Sequence, residues 1–202
     1  MPSVLYHLLT RASEDLSADG ARFAVVGGLA VAARAMLRTT QDVDIAVAVS
    51  GDQEAESIAR ALMSRGYQLE TEIDQAATGR LATLRLISPH LPDGMPAEES
   101  PLVDLLFASS GIEPELVAAA DRIDVLEGAV LPTARIPHLI AMKVLSETDE
   151  RLQDRIDLKH LVEAATNPEL GEVPELLSLI ENRGYGRQKN LPQVFSRFLS
   201  RP

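Results

Sequence analysis

The sequence predicts an α+β protein: a mixed αβ part over residues 1–132, with a mixed sheet flanked by helices, followed by a helical part over 133–202. Three observations predict it. Up to residue 132, short apolar runs of strand length alternate with amphipathic stretches and are separated by Gly, Pro, Asp and Ser. After Pro132 only helical patterns remain. The 202 residues are 46% hydrophobic, enough to bury a sizeable core in one domain or one domain with a helical extension. Aromatics are only 3%, so that core is built from Leu, Val, Ile and Ala.

In chain order, residues 3–17 read as an amphipathic helix, without the charged n-region and small-residue cleavage site of a leader. Residues 23–26 form a short strand. Gly27-Gly28 turns the chain into a helix over about 29–37, and 43–49 is the next strand. Ser50 or Asp52 can N-cap a helix over 53–65, which Gly66 ends. Strands follow at 67–73 and 81–88, then a loop over 89–100 and a third buried-type strand at 102–108, LVDLLFA. A short helix covers 113–120, and 123–126 with 129–131 suit a hairpin around Glu127-Gly128. Helical patterns then occupy 136–146, 152–165, 173–182 and 191–199.

Composition excludes several chemistries. There is no cysteine, hence no disulfide, thiolate metal site or cysteine nucleophile, which fits a cytoplasmic protein. No apolar run approaches 18 residues, so no membrane helix is expected. A net charge of −11 argues against broad, nonspecific nucleic-acid binding. The exception is the stretch 183–202, with five basic residues and no acid. It reads as a solvated helical tail or, with Tyr185, Phe195 and Phe198, as a local RNA or phosphate contact. The four histidines show no ligand spacing, and no phosphate-binding P-loop, dinucleotide fingerprint or nucleophile elbow is present.

The chemistry-bearing residues are acids set in apolar strands. Residues two apart on a strand face the same side, so Asp42 and Asp44 point together while Val43, Ile45 and Val47 point into core. Asp104 sits between Val103 and Leu105 in a second such strand. Uncompensated charge in such places is costly. If the strands are neighbours, three hard oxygen donors converge, a set suited to Mg²⁺ or Mn²⁺ with triphosphate oxygens. Asp104 would complete the metal set or act as base toward an acceptor hydroxyl. Gly27 and Gly28, at a helix N-terminus, let a phosphate approach the backbone, Gly28 lying fourteen residues before Asp42. Arg38 and Thr40, just before the acid pair, are further phosphate contacts.

These residues together resemble the nucleotidyltransferase superfamily, the DNA polymerase β-like fold: VVGG at 25–28, DVD at 42–44 and VDL at 103–105. Within it the chain is most similar to the AbiEii/AbiGii toxin-type branch, through RTTQDVDI at 38–45, Lys143 in IAMKVLS, and RLQDRIDL at 151–158. The resemblance covers roughly residues 20–165. It implies a metal-dependent enzyme that moves a nucleoside monophosphate from an NTP to RNA, a protein or a small molecule. Lys143 would touch the triphosphate, and Asp154 or Asp157 would support that lysine or the base. The resemblance also implies a toxin–antitoxin or phage-defence role with a cognate antitoxin. The basic stretch 183–202 makes tRNA one candidate acceptor. Two alternatives stay open: a catalytically inactive binding or regulatory protein of the same fold, and an antibiotic-type small-molecule nucleotidyltransferase.

Overall fold

The computed structural model describes residues 3–75, 78–90 and 101–199. The loop expected over 89–100 therefore lies, from residue 91 onward, outside the described residues. These contain α1 (Val4–Ala18), β1 (Arg22–Val25), α2 (Gly27–Arg34), β2 (Val43–Ala48), α3 (Asp52–Ser64), β3 (Gln68–Asp74), β4 (Leu81–Ile87) and β5 (Leu102–Leu106). There follow α4 (Glu113–Ala119), β6 (Asp121–Leu126), β7 (Ala129–Thr133), α5 (Ile136–Ser146), α6 (Leu152–Ala164), α7 (Asn167–Asn182) and α8 (Leu191–Leu199). The strands form one mixed sheet in the order β3-β4-β5-β2-β1-β7-β6. The fold class is the expected one. None of the described helices is long and apolar enough to cross a membrane.

Strand alternation sorts side chains onto two unlike faces. Phe23, Val25, Val43, Ile45, Val47, Val103 and Leu105 pack against α1 and α3 in one apolar layer. On the other face the small residues Ala24, Val26 and Ala46 share a core with α2, α4 and α5 to α8. Residue 132, the expected boundary between the two parts, lies within β7, and the C-terminal helices close over the same sheet.

Three elements differ from the sequence expectation. α2 starts on Gly27 itself and stops at Arg34 instead of reaching residue 37. The Arg34 guanidinium is tied to Asp121 and to the carbonyls of Thr133 and Ala134, which anchors the helix end on the β6–β7 hairpin. α3 has Gly51 at its N-cap with no side-chain cap, and Ser50 instead donates its N–H and hydroxyl to Glu54. α7 starts six residues earlier than the pattern suggested. A capping box, in which Thr166 and Glu169 satisfy each other's backbone N–H groups, initiates it, and Pro174 is carried inside the helix.

The basic stretch 183–202 is not a solvated tail in its described residues. Arg183 pairs with Glu115, and Lys189 donates to the carbonyls of Leu145 and Glu147 at the end of α5. Tyr185 and Phe195 are buried, and Phe198 packs on the same core, so these rings are not a stacking platform for bases. Arg201 lies outside the described residues.

Candidate active site

The two faces explain where charge can sit. Asp44 on β2 and Asp104 on β5 are register partners in adjacent parallel strands, on the small-residue side of the sheet. Neighbouring strands lie about 4.8 Å apart, so the two carboxylates are close neighbours. Asp104 is 7% exposed. On its other flank β4 places Arg85 directly opposite, and the guanidinium grips both carboxylate oxygens at 2.8 and 2.7 Å. This bond holds Arg85 above the ordinary arginine range despite its partial burial.

Among the described residues Asp44 has no such cation. Burial first, then the charge of Asp104, push it from its ordinary 3.8 up to about 6, against the opposing pull of Lys143 and of the Gly28 N–H, which donates to it. Asp44 thus carries uncompensated negative charge. Asp42 stands one step before β2. Its carboxylate turns to the backbone and accepts from Leu102 N–H at 3.0 Å.

Gly27 and Gly28 form the wall beside Asp44. Gly27 has φ +60, and a Cβ there would land on the Asp44 carboxylate. A Cβ on Gly28 would come within 2.5 Å of both the Arg38 guanidinium and the Thr40 hydroxyl. Thr40 Oγ1 is 3.5 Å from the carbonyl of Asp42. Gly27→Ala combines a left-handed backbone with a clash, so it should cost about 1–3 kcal/mol and lower the melting temperature by several degrees. Gly28→Ala, with an ordinary backbone, should leave stability closer to wild type while displacing Arg38 and Thr40. Thermal melts of the two variants check both.

Opposite the sheet, α5 and α6 supply a buried ionic cluster. Lys143 Nζ lies 2.6 Å from Asp154 Oδ1 and 2.8 Å from Asp157 Oδ2. Asp157 is 1% exposed, accepts a hydrogen bond from Gln153 at 2.8 Å, and forms an ion pair with the Arg38 Nε at 3.3 Å. Burial pushes Asp154 up, but Lys143, Ser146 and Arg151 outweigh it and hold this carboxyl below its usual range. Asp157 thus orients Lys143 from α5 and Arg38 from the α2–β2 connection at once.

These groups surround one cleft of about 690 Å³. It is lined by Gly27, Gly28, Arg38, Asp44, Asp104, Lys143 and Asp154 among the sequence-predicted residues. Asp42, Thr40 and Asp157 are not part of this lining: Asp157 pairs with Lys143 and Arg38, which are, whereas Asp42 accepts from the Leu102 N–H and Thr40 bonds the Asp42 carbonyl. The lining also holds Arg85 and Arg151, to which sequence reasoning gave no site role, and Arg187 from the basic stretch 183–202. The usable signal was Arg85 between buried Leu84 and Leu86: a lone cation in an apolar strand needs an acid opposite, as Asp104 needs a cation. A larger hollow of about 880 Å³ between α1, α4 and the β6–β7 hairpin has Glu14 as the sole acid of its lining, and Glu14 pairs with Arg11.

The donor set suits a hard divalent cation in type and charge, with Asp44 the ligand left uncompensated. It is not a finished coordination shell. Among the described residues no three acidic or histidine side chains stand ready around one point, because Asp42 is turned to Leu102 and Asp104 to Arg85.

No protein-family model matches the chain, and no curated protein matches its sequence. Solved structures do match its fold. The antibiotic-resistance factor ANT(2'')-Ia in solution aligns with TM-score 0.56 and 13% identity over 91% of this chain and 94% of that one. The same factor in complex with adenylyl-2''-tobramycin gives 0.55 and 14% over 90% and 99%. An antigenic nucleotidyltransferase-like protein from Paracoccidioides brasiliensis gives 0.50 and 18% over 97% and 94%. The chain has the fold of these nucleotidyltransferase-type structures.

Proposed function

We propose that the chain is a nucleotidyltransferase that moves a nucleoside monophosphate from an NTP to a hydroxyl-bearing acceptor. The observation that carries this reading is the pairing of Asp44 and Asp104 in one cleft with the Gly27-Gly28 helix start and five basic side chains. A triphosphate placed there would meet the N–H groups of α2 together with Arg38 and Lys143, both held in place by Asp157. In the transfer, the acceptor oxygen forms a bond to the α-phosphorus as the α–β phosphoanhydride bond breaks. Pyrophosphate leaves with the bonding electrons, and the acceptor proton passes to a carboxylate, Asp104 being the candidate base. Mg²⁺ or Mn²⁺, held by Asp44 with Asp104 and Asp42, would supply charge neutralisation at the transferring phosphoryl group.

A small-molecule acceptor is the favoured class. The fold neighbours include an enzyme in complex with an adenylylated antibiotic. The aromatic rings of residues 183–202 are core, which removes the main support for a tRNA contact there. The order of motifs from VVGG to RLQDRIDL ties the reading to the AbiEii/AbiGii toxin-type branch, where a cognate antitoxin is the expected partner. The second reading, a binding module without catalysis, draws on the engagement of Asp104 by Arg85.

Thermal melts with each NTP, with and without Mg²⁺, test the nucleotide site. A ligand at a hundred times its Kd stabilises the folded state by about 2.7 kcal/mol, so a metal-dependent rise of several degrees is expected. No rise with any NTP would overturn the proposal.

A further inference from the structure

We propose that Arg85 is a latch on the acid pair: in the empty cleft it holds Asp104 out of the divalent-cation set, and an incoming nucleoside triphosphate must draw it away before Asp104 can serve the reaction. The inference rests on the nucleotidyl-transfer reading of the same cleft.

Four observations carry it. Arg85 engages both oxygens of Asp104, at 2.8 and 2.7 Å, leaving neither facing Asp44 without a cation already on it. The register fixes this pairing, since β4 sets Arg85 opposite Asp104 on one side while β2 sets Asp44 opposite it on the other. The acid is buried, whereas the arginine side chain is 41% exposed toward the cleft, so the arginine is the partner free to move. The other cations of the cleft with carboxylate partners use different acids: Lys143 is bound by Asp154 and Asp157, Arg38 by Asp157, and Arg151 by Asp154. Arg85 alone among them spends its charge on an acid of the candidate metal set.

A phosphate offers a guanidinium the same two-point geometry as a carboxylate. A triphosphate can therefore take over Arg85 without leaving the cation bare, and the freed Asp104 then turns to the metal that accompanies the nucleotide. Metal and nucleotide would bind as a coupled pair, each weak alone. Arg85 is in this sense a positioning residue, acting on the reaction through Asp104.

The test uses the full chain and Mn²⁺ alone, with free Mn²⁺ read by electron paramagnetic resonance. Arg85→Met should bind Mn²⁺ about tenfold or more tightly than wild type without nucleotide, since a charge-assisted bond no longer competes. Arg85→Lys, which keeps the charge but cannot hold both oxygens, should fall between. Adding Asp104→Asn to Arg85→Met should remove the gain. A purely structural role for Arg85 predicts something else: the variant melts lower, and Mn²⁺ does not restore it. Equal Mn²⁺ affinity in wild type and both variants overturns the latch, as does a gain that survives Asp104→Asn. The transfer reading is judged separately, by whether wild type passes label from an NTP. If the variants gain metal affinity while wild type transfers nothing, the latch stands and the enzyme reading falls.

Discussion

Asp44→Asn is expected to abolish nucleotidyl transfer while making the empty protein more stable. The loss of activity follows from its place as the uncompensated carboxylate of the site, and it should reach about a thousandfold. The gain in stability follows from linkage. The folded-state value of Asp44 lies at about 6, against an ordinary 3.8. A carboxylate raised on folding costs stability when it ionises: the penalty is absent below about pH 4, grows through the interval, and is complete above about pH 6. Two pKa units correspond to roughly 3 kcal/mol. Asn cannot ionise, so the variant should melt about 5–10 °C above wild type near pH 7.5 in chelator. The two should converge as the pH falls to about 4. Mg²⁺ with an NTP should then raise wild type and leave the variant unmoved. Melts of both proteins over that pH range check this, and a variant that melts below wild type at pH 7.5 would contradict the assignment of Asp44.

The second large effect belongs to Lys143. Its ammonium lies within 2.8 Å of two carboxylates, one of them on the fully buried Asp157. Lys143→Met keeps the volume but removes the cation the two acids share, leaving Asp157 with the Arg38 Nε and Gln153 and Asp154 with the more distant Arg151. Breaking a buried ion pair from one side costs about 3–5 kcal/mol. The melting temperature should fall by about 10 °C, and triphosphate affinity should fall with it. Pairing the change with Asp157→Asn removes one stranded charge and should recover part of the stability without recovering nucleotide binding. That split separates the structural from the functional duty of the lysine, and a double-mutant cycle measures it. A single variant that melts like wild type would show that the cluster is not coupled as described.

How much of this was legible in the sequence depends on the range of the interaction. The run VDIAVA gave the orientation of β2, because a strand whose one acid sits among apolar residues turns that acid away from the larger apolar layer. The acids and the glycines stood out as unusual residues for their apolar or turn setting, Arg38 through its place just before the acid pair, and Lys143 through the family resemblance. Arg85 received no role because its meaning lies in register. Nothing local in LATLRLI says that the arginine will stand across from Asp104. The end of α2 was misplaced for a similar reason, since Arg34 is held by groups about a hundred residues away. The early start of α7 was readable: Thr166 and Glu169 form a capping-box pattern, but Pro174 masks it by looking like a break. The basic run 183–202 misled because charge counting does not see carbonyl and carboxylate partners brought in from α4 and α5.

The central claim is that Asp44 and Asp104 hold the chemistry of phosphoryl transfer in a triphosphate-binding cleft. Incubation with each α-32P-labelled NTP, Mg²⁺ and a panel of hydroxyl-bearing acceptors, including small molecules and total RNA, tests it most directly. The account predicts label on an acceptor and release of pyrophosphate with wild type, and neither with Asp44→Asn. Label transferred equally by wild type and Asp44→Asn, or by neither with any NTP, would contradict it.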